Sequence, residues 1–140
     1  MPSFTFRRHV SIEWGHCDPA GIVFNPRFFE FLDASSFLLF EAALGVKAQA
    51  LASTYGIVGI ALVDARANFL KPVKFGDVLE IASRVTEFRR TSFDVEHRLS
   101  VGGTLVVEGG ESRVWAVRDP ADPENLKTAP IPAEVIAKFN

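Results

Sequence analysis

A chain of 140 residues has room for one core, and 48% hydrophobic residues, with 13 Phe among them, supply the apolar surface to fill it, which excludes a disordered chain. A formal net charge of -2 gives no global attraction to polyanions, so nucleic acid is not an expected partner and any anionic ligand must meet a local basic cluster. One Cys excludes an intramolecular disulfide, no secretory h-region opens the chain, and no stretch approaches the roughly 20 apolar residues of a membrane span; a single cytoplasmic domain over residues 1–140, with no membrane partner, is expected.

From residue 4 to 14, Phe4, Phe6, Val10, Ile12 and Trp14 alternate with Thr5, Arg7, His9, Ser11 and Glu13, the period of a half-buried strand despite Arg8. The segment GHCDPAGIVF follows at residues 15–24. Residues 27–45 contain no Pro and close on Gly45, a suitable C-cap, while Pro26 suits a first helical position, so the spacing predicts one long helix. Its apolar residues run nearly all round, interrupted by Glu30, Asp33 and Glu41 on one narrow face, and such a helix should be wrapped by other elements. A second short helix is expected at 47–56.

The character then changes to strands at 58–70, 78–88, 92–101 and 104–119, separated by Lys71-Pro72, a turn around Gly76, and Gly102-Gly103. The clearest alternation sets Phe93, Val95, His97, Leu99 and Val101 against Asp94, Glu96, Arg98 and Ser100. Gly109-Gly110 suits a bulge or bend, and the tail reads as a Pro-rich loop (DPADPEN) and a short helix from Pro132. The order predicts an α+β fold, an antiparallel sheet curling around a central helix.

His16, Cys17 and Asp18 do not make a triad, because neighbours in an extended chain point to opposite faces. No metal site is expected, since His9, His16 and His97 lack ligand spacing and Cys17 stands alone; Cys17 reads as a small buried apolar residue. Asp18 differs, for Pro19 restricts its backbone and Gly21 allows a tight turn just after it. Asn25-Pro26 then opens the helix, whose first N–H groups lack partners and carry the positive end of the dipole. A carboxylate and an oxyanion site together suit acyl transfer. The residues alone leave the ordinary roles open, Asp18 capping a turn and Asn25 capping the helix.

CDPAGIVFNPRFFEFLDA closely resembles the opening of the hot-dog-fold acyl-CoA thioesterases of the 4-hydroxybenzoyl-CoA thioesterase type, where a D-x-A-G-[IV]-V-[FWY] segment leads into the central helix. The resemblance continues through Gly56 to Gly59, Phe69 to Val73, Gly76-Asp77 and Glu87 to Phe93, and spans about residues 10–118. It implies a hot-dog fold, a five-stranded antiparallel sheet around the long helix, in subunits that pair as a homodimer or homotetramer with active sites at the interface. It also implies hydrolysis of an acyl-CoA, aryl or short to medium in its acyl group, with CoA as part of the substrate and no separate cofactor.

Asp18 carries over as the catalytic carboxylate, nucleophile or general base, and the Asn25 N–H as the carbonyl-polarising donor. Arg89, Arg90 and Ser92 carry over to the CoA phosphates; Arg89-Arg90-Thr91-Ser92 is also the local basic cluster that the net charge demands. Asp33 would contact a polar group of the acyl moiety or make a structural hydrogen bond. Another hot-dog type places its Glu in the helix after an H-G-G segment, which is absent, so Asp18 is favoured over Glu30 or Glu41. The alternatives are a non-catalytic acyl-CoA-binding hot-dog protein and a hot-dog dehydratase or hydratase using His16.

Overall fold

The apolar run after residue 24 forms α1 (Asn25–Leu44), ended by Gly45 in the left-handed region at φ 68°, with its N–H on the Glu41 carbonyl. Pro26 lies in the first turn, where its missing N–H leaves no intrahelical bond unmade. The structure, a computed structural model, describes residues 2–140. Around α1 curls one antiparallel sheet of β1 (Phe6–Ser11), β2 (Gly59–Phe69), β3 (Val78–Phe88), β4 (Ser92–Val101), β5 (Thr104–Asp119) and β6 (Asp122–Thr128). Its order is β1-β3-β4-β5-β2, with β6 paired to the far end of β5. Two short helices, α2 (Leu51–Tyr55) and α3 (Ala133–Ala137), close the C-terminal end of α1.

Two apolar clusters bind helix to sheet. The N-terminal half of α1 packs Phe28, Phe31 and Leu32 with Ile12, Leu79 and Leu99; the other half packs Leu39, Phe40 and Leu44 with Phe93, Trp115 and Phe139. Each large side chain so buried removes enough apolar area to contribute about 1.5–3 kcal/mol. This division fixes the two ends of the molecule, one at Asn25 and one at the β3–β4 turn.

The predicted α+β architecture holds, with five differences. The first strand ends at Ser11, because the chain breaks into a 3-10 turn at Trp14–His16. The short helix expected at 47–56 is a 3-10 turn, Ala48–Ala50, running into α2. The tail expected as a loop forms β6, a sixth strand beyond the five expected; its seven residues are all exposed, so no apolar face announces it.

Gly109 and Gly110 sit in regular register and make no bulge. A Cβ at Gly109 would lie 2.7 Å from Leu32 Cδ1, so this glycine admits α1 to the sheet. The helix itself is not wrapped all round, since Phe29 is 37% exposed on the face it shares with Asn25 and Asp33. β2 borders that face and pairs only with β5, leaving one edge unpaired.

Candidate active site

The residues before α1 fold back on themselves as a tight hairpin. Cys17 bridges Val23, Asp18 N–H donates to the Ile22 carbonyl at 2.9 Å, and Phe24 N–H donates to the His16 carbonyl at 2.9 Å. The reversal requires Gly21, whose φ of 81° is unfavourable for a residue with a Cβ. Asp18 Oδ1 accepts the Ala20 N–H at 2.8 Å, an Asx turn that fixes the carboxylate. Asp18 Oδ2 has no partner among the described residues. One oxygen thus caps the turn and the other is left unbonded.

The Asn25 side chain does not cap the helix: Phe24 is the N-cap residue and no side chain bonds there. Arg27 N–H is taken by the Phe24 carbonyl at 2.8 Å, and Pro26 has no N–H. The Asn25 N–H therefore stands first at the positive end of α1, without an acceptor among the described residues. The hairpin sets Asp18 two residues beyond the His16–Phe24 pair, about 7 Å along the strand. A pocket of about 220 Å³ opens beside this mouth, walled by Ile22, Asn25, Phe28, Phe69, Pro72 and Val73; Asp18 is not among its walls. Trp14 and Phe75 meet edge-on at 5.5 Å near the loop, and with Phe24 they leave more than half of each ring in solvent.

His16 and Cys17 both bond within the loop. His16 Nδ1 accepts the Glu13 N–H at 2.9 Å and its ring meets Phe31 edge-on, while Cys17 is half-buried with its thiol donating to the Glu13 carbonyl at 3.6 Å. No cluster of three His, Cys, Asp or Glu able to hold a metal ion occurs among the described residues.

Asp33 lies two helical turns beyond Asn25 on the same face, half in solvent, and its Oδ1 accepts Arg113 Nη2 at 2.7 Å. Sequence reasoning missed what lies behind it. Arg113, Glu111, His97, Ser36 and Ser83 are all at most 1% exposed and form one hydrogen-bonded chain between β3, β4, β5 and α1. Burial pushes the Glu111 carboxyl up, but hydrogen bonds from His97, Arg113 and Ser36 and the guanidinium charge outweigh it and hold the group at about 2. For Arg113, burial pulls the pKa down, and the hydrogen bonds to Glu111 and Asp33 carry it to a net rise. The signal was present: Glu111 and Arg113 fall on the inward period of β5, two apart and before Trp115.

Arg89, Arg90 and Ser92 come together at the turn between β3 and β4. Arg89 is already engaged, forking onto Asp94 at 2.9 and 2.7 Å and reaching Glu87 and the Ser92 hydroxyl. The Arg89 hydrogen bond, with that of Ser112, holds Asp94 at about 2. Arg90 is exposed and has no ion pair among the described residues. This turn packs with the C-terminal end of α1, a helix of 20 residues, about 30 Å long, so within the chain it lies far from Asn25.

A curled antiparallel sheet on one long helix, with the helix mouth beside a turn-fixed carboxylate, has the architecture of a hot-dog thioester hydrolase. Residues 12–139 match the thioesterase-like superfamily, and the chain belongs to it. It is 38% identical over 131 residues to the 4-hydroxybenzoyl-CoA thioesterase of Pseudomonas sp. strain CBS-3, covering 89% of this chain and 90% of that one. The structure of a 4-hydroxybenzoyl-CoA thioesterase from that strain superposes with a TM-score of 0.89 at 33% identity, over 97% of this chain and 99% of that one. A 1,4-dihydroxy-2-naphthoyl-CoA hydrolase of Synechococcus elongatus is 31% identical over 100 residues, 71% of each chain. No helix among the described residues is long and apolar enough to cross a membrane.

Proposed function

We propose that the protein, acting as one hot-dog domain, hydrolyses an acyl-CoA whose acyl group is aryl or short to medium in length and 4-hydroxybenzoyl-like, releasing the free acid and CoA. The observation that carries this is the single hairpin joining the fixed Asp18 carboxylate to the open Asn25 N–H. The thioester carbonyl accepts from the Asn25 N–H, where the helix dipole stabilises the oxyanion as it forms. Asp18 then either attacks the carbonyl carbon, giving an anhydride that water cleaves, or takes a proton from the attacking water; in both routes the C–S bond breaks and the thiolate leaves with CoA. Asp33 meets the far end of the acyl group, and Arg90, with Arg89 and Ser92, meets the CoA phosphates.

The length of α1 between the two ends supports a shared site, in which the Arg90 turn of one copy serves the Asn25 mouth of another. The acyl strip of Asn25, Phe29 and Asp33 also borders the free edge of β2, which supports a homodimer, or a tetramer built from it, that roofs the strip. The test is thiol release from 4-hydroxybenzoyl, benzoyl, phenylacetyl and aliphatic CoA esters, with Asp18→Asn in parallel. Asparagine retains the oxygen that accepts the Ala20 N–H, so the turn survives while turnover falls by about 10³-fold or more. Turnover by Asp18→Asn equal to that of the wild type would overturn the assignment, and saturable binding of every ester without hydrolysis would make the protein an acyl-CoA-binding module.

A further inference from the structure

The buried polar chain between α1 and the sheet has one exit. Ser83 Oγ lies 2.7 Å from His97 Nδ1, and His97 Nε2 lies 3.1 Å from Glu111 Oε1, which also accepts the Ser36 hydroxyl. Glu111 takes Arg113 Nε at 3.1 Å and Nη2 at 3.0 Å. Because an ionised carboxylate only accepts, His97 Nε2 carries the hydrogen, so the ring orientation is set. Arg113 Nη1 is held by the Ile60 carbonyl at 2.8 Å, and its guanidinium stands 5.5 Å from the centre of the Phe37 ring. The remaining bond leaves the core and ends on Asp33.

Stability alone does not call for this arrangement. A buried ion pair replaced by apolar side chains of equal volume is often as stable or more so, because taking the charges from water costs as much as their attraction returns. What the chain does accomplish is geometric: three bonds lock the guanidinium, and its fourth locks one oxygen of a carboxylate otherwise free to rotate on an exposed helix face. Asp33 Oδ2 has no partner among the described residues and is left to accept. Asn25 and Asp33 are eight residues apart, about 12 Å along the axis. Asp33 leans back toward the helix N-terminus, as helical side chains do. A single aromatic ring with a hydrogen bond of about 2.9 Å at each end matches that span.

We propose that Arg113 is a positioning residue for substrate selection: held by Glu111 and His97, it fixes Asp33 as an acceptor for a hydroxyl one ring beyond the thioester carbonyl. The proposal rests on the assignment of the Asn25 N–H to the carbonyl and of Asp33 to the acyl group. Its reach is selectivity between acyl groups, separate from the chemistry at Asp18.

The experiment compares kcat/KM for 4-hydroxybenzoyl-CoA and benzoyl-CoA in the wild type, Asp33→Ala, Arg113→Met, Arg113→Lys and the double variant Arg113→Met with Glu111→Gln. The ratio of the two substrates cancels any loss of folded protein, and the double variant leaves no uncompensated buried charge. The wild type favours the hydroxylated ester; Asp33→Ala removes the preference; Arg113→Met and the double variant reduce it at least tenfold, through KM for the hydroxylated ester. Arg113→Lys, which keeps the charge and loses the fork, falls between. A wild type without preference, or Arg113 variants that keep the full preference while Asp33→Ala loses it, would overturn the proposal. If Asp33→Ala keeps the preference while Asp18→Asn still abolishes turnover, the role of Asp33 and this proposal fall together and the thioesterase assignment stands. If turnover survives in Asp18→Asn, it is that assignment which fails.

Discussion

Gly109 of β5 lies directly beneath Leu32 of α1, so close that a Cβ on the glycine would stand 2.7 Å from Leu32 Cδ1 and 3.3 Å from Cδ2. Leu32 is wholly buried and has nowhere to swing. Gly109→Ala should therefore cost about 1–3 kcal/mol, the range for overpacking a filled core. The neighbouring Gly110 faces the other side of the sheet, under the Arg66 guanidinium, whose side chain is exposed and can move aside. Gly110→Ala should cost much less. Urea unfolding of both variants measures the contrast; equal losses would mean that the helix is not seated on Gly109.

Acid should act on the core through Glu111. Its folded value of about 2 lies below the usual 4.5, so ionisation of this group contributes stability that is fully present above pH 4.5 and lost as pH falls toward 2. The contribution is on the order of 3 kcal/mol, and Asp94, also held at about 2, acts with the same sign. Glu111→Gln should lower stability at pH 7 by about 3–5 kcal/mol, since Arg113 loses its buried counter-charge, and should flatten the fall below pH 4.5. Urea midpoints at pH 7, 5, 4 and 3 test both statements. A variant with the same acid slope as the wild type would contradict them.

How much of this could be read from the chain follows from where each residue buries its information. The strands at 78–88, 92–101 and 104–119 have the limits the alternation gave, because one face of each packs on α1 and the period of two survives in the sequence. β6 was illegible since none of its residues is buried; its pairing comes from the overhanging end of β5. The turn at Asp18 and the helix start at Asn25 were legible from a motif, whereas no motif or spacing singles out Glu111 and Arg113. Their partners His97, Ser36 and Asp33 are 14 to 80 positions away, and a pattern of neighbours carries no record of such a meeting.

At the β3–β4 turn, Arg89 and Arg90 should part company. Arg90→Ala should raise KM for a CoA ester roughly five- to tenfold at low salt, leave kcat nearly unchanged, and lose this effect as added salt screens the exposed charge. Arg89→Ala breaks the fork on Asp94 as well, so it should also cost about 1 kcal/mol of stability. Steady-state kinetics across a salt series, with thermal melts, separates the two. A kcat effect at Arg90 would move that residue out of a phosphate-binding role.

The free edge of β2 should hold the assembly together. Along it Leu62 is 48% and Val63 66% exposed, and Val63 is the residue left out of register where β2 bulges against β5. A long apolar edge with unpaired backbone groups is a template for another strand, and an isologous pair of β2 strands would satisfy both copies at once. The Asp33–Arg113–Ile60 contacts lie near the start of this strand and the Phe29–Phe69 contact at its end, so a partner on β2 closes over the α1 strip from Asn25 to Asp33. Leu62→Lys with Val63→Lys should shift the protein to monomer in sedimentation equilibrium, and activity should fall in proportion to the dimer lost. A monomeric wild type, or a monomeric variant with full turnover, would show that one copy completes the site alone.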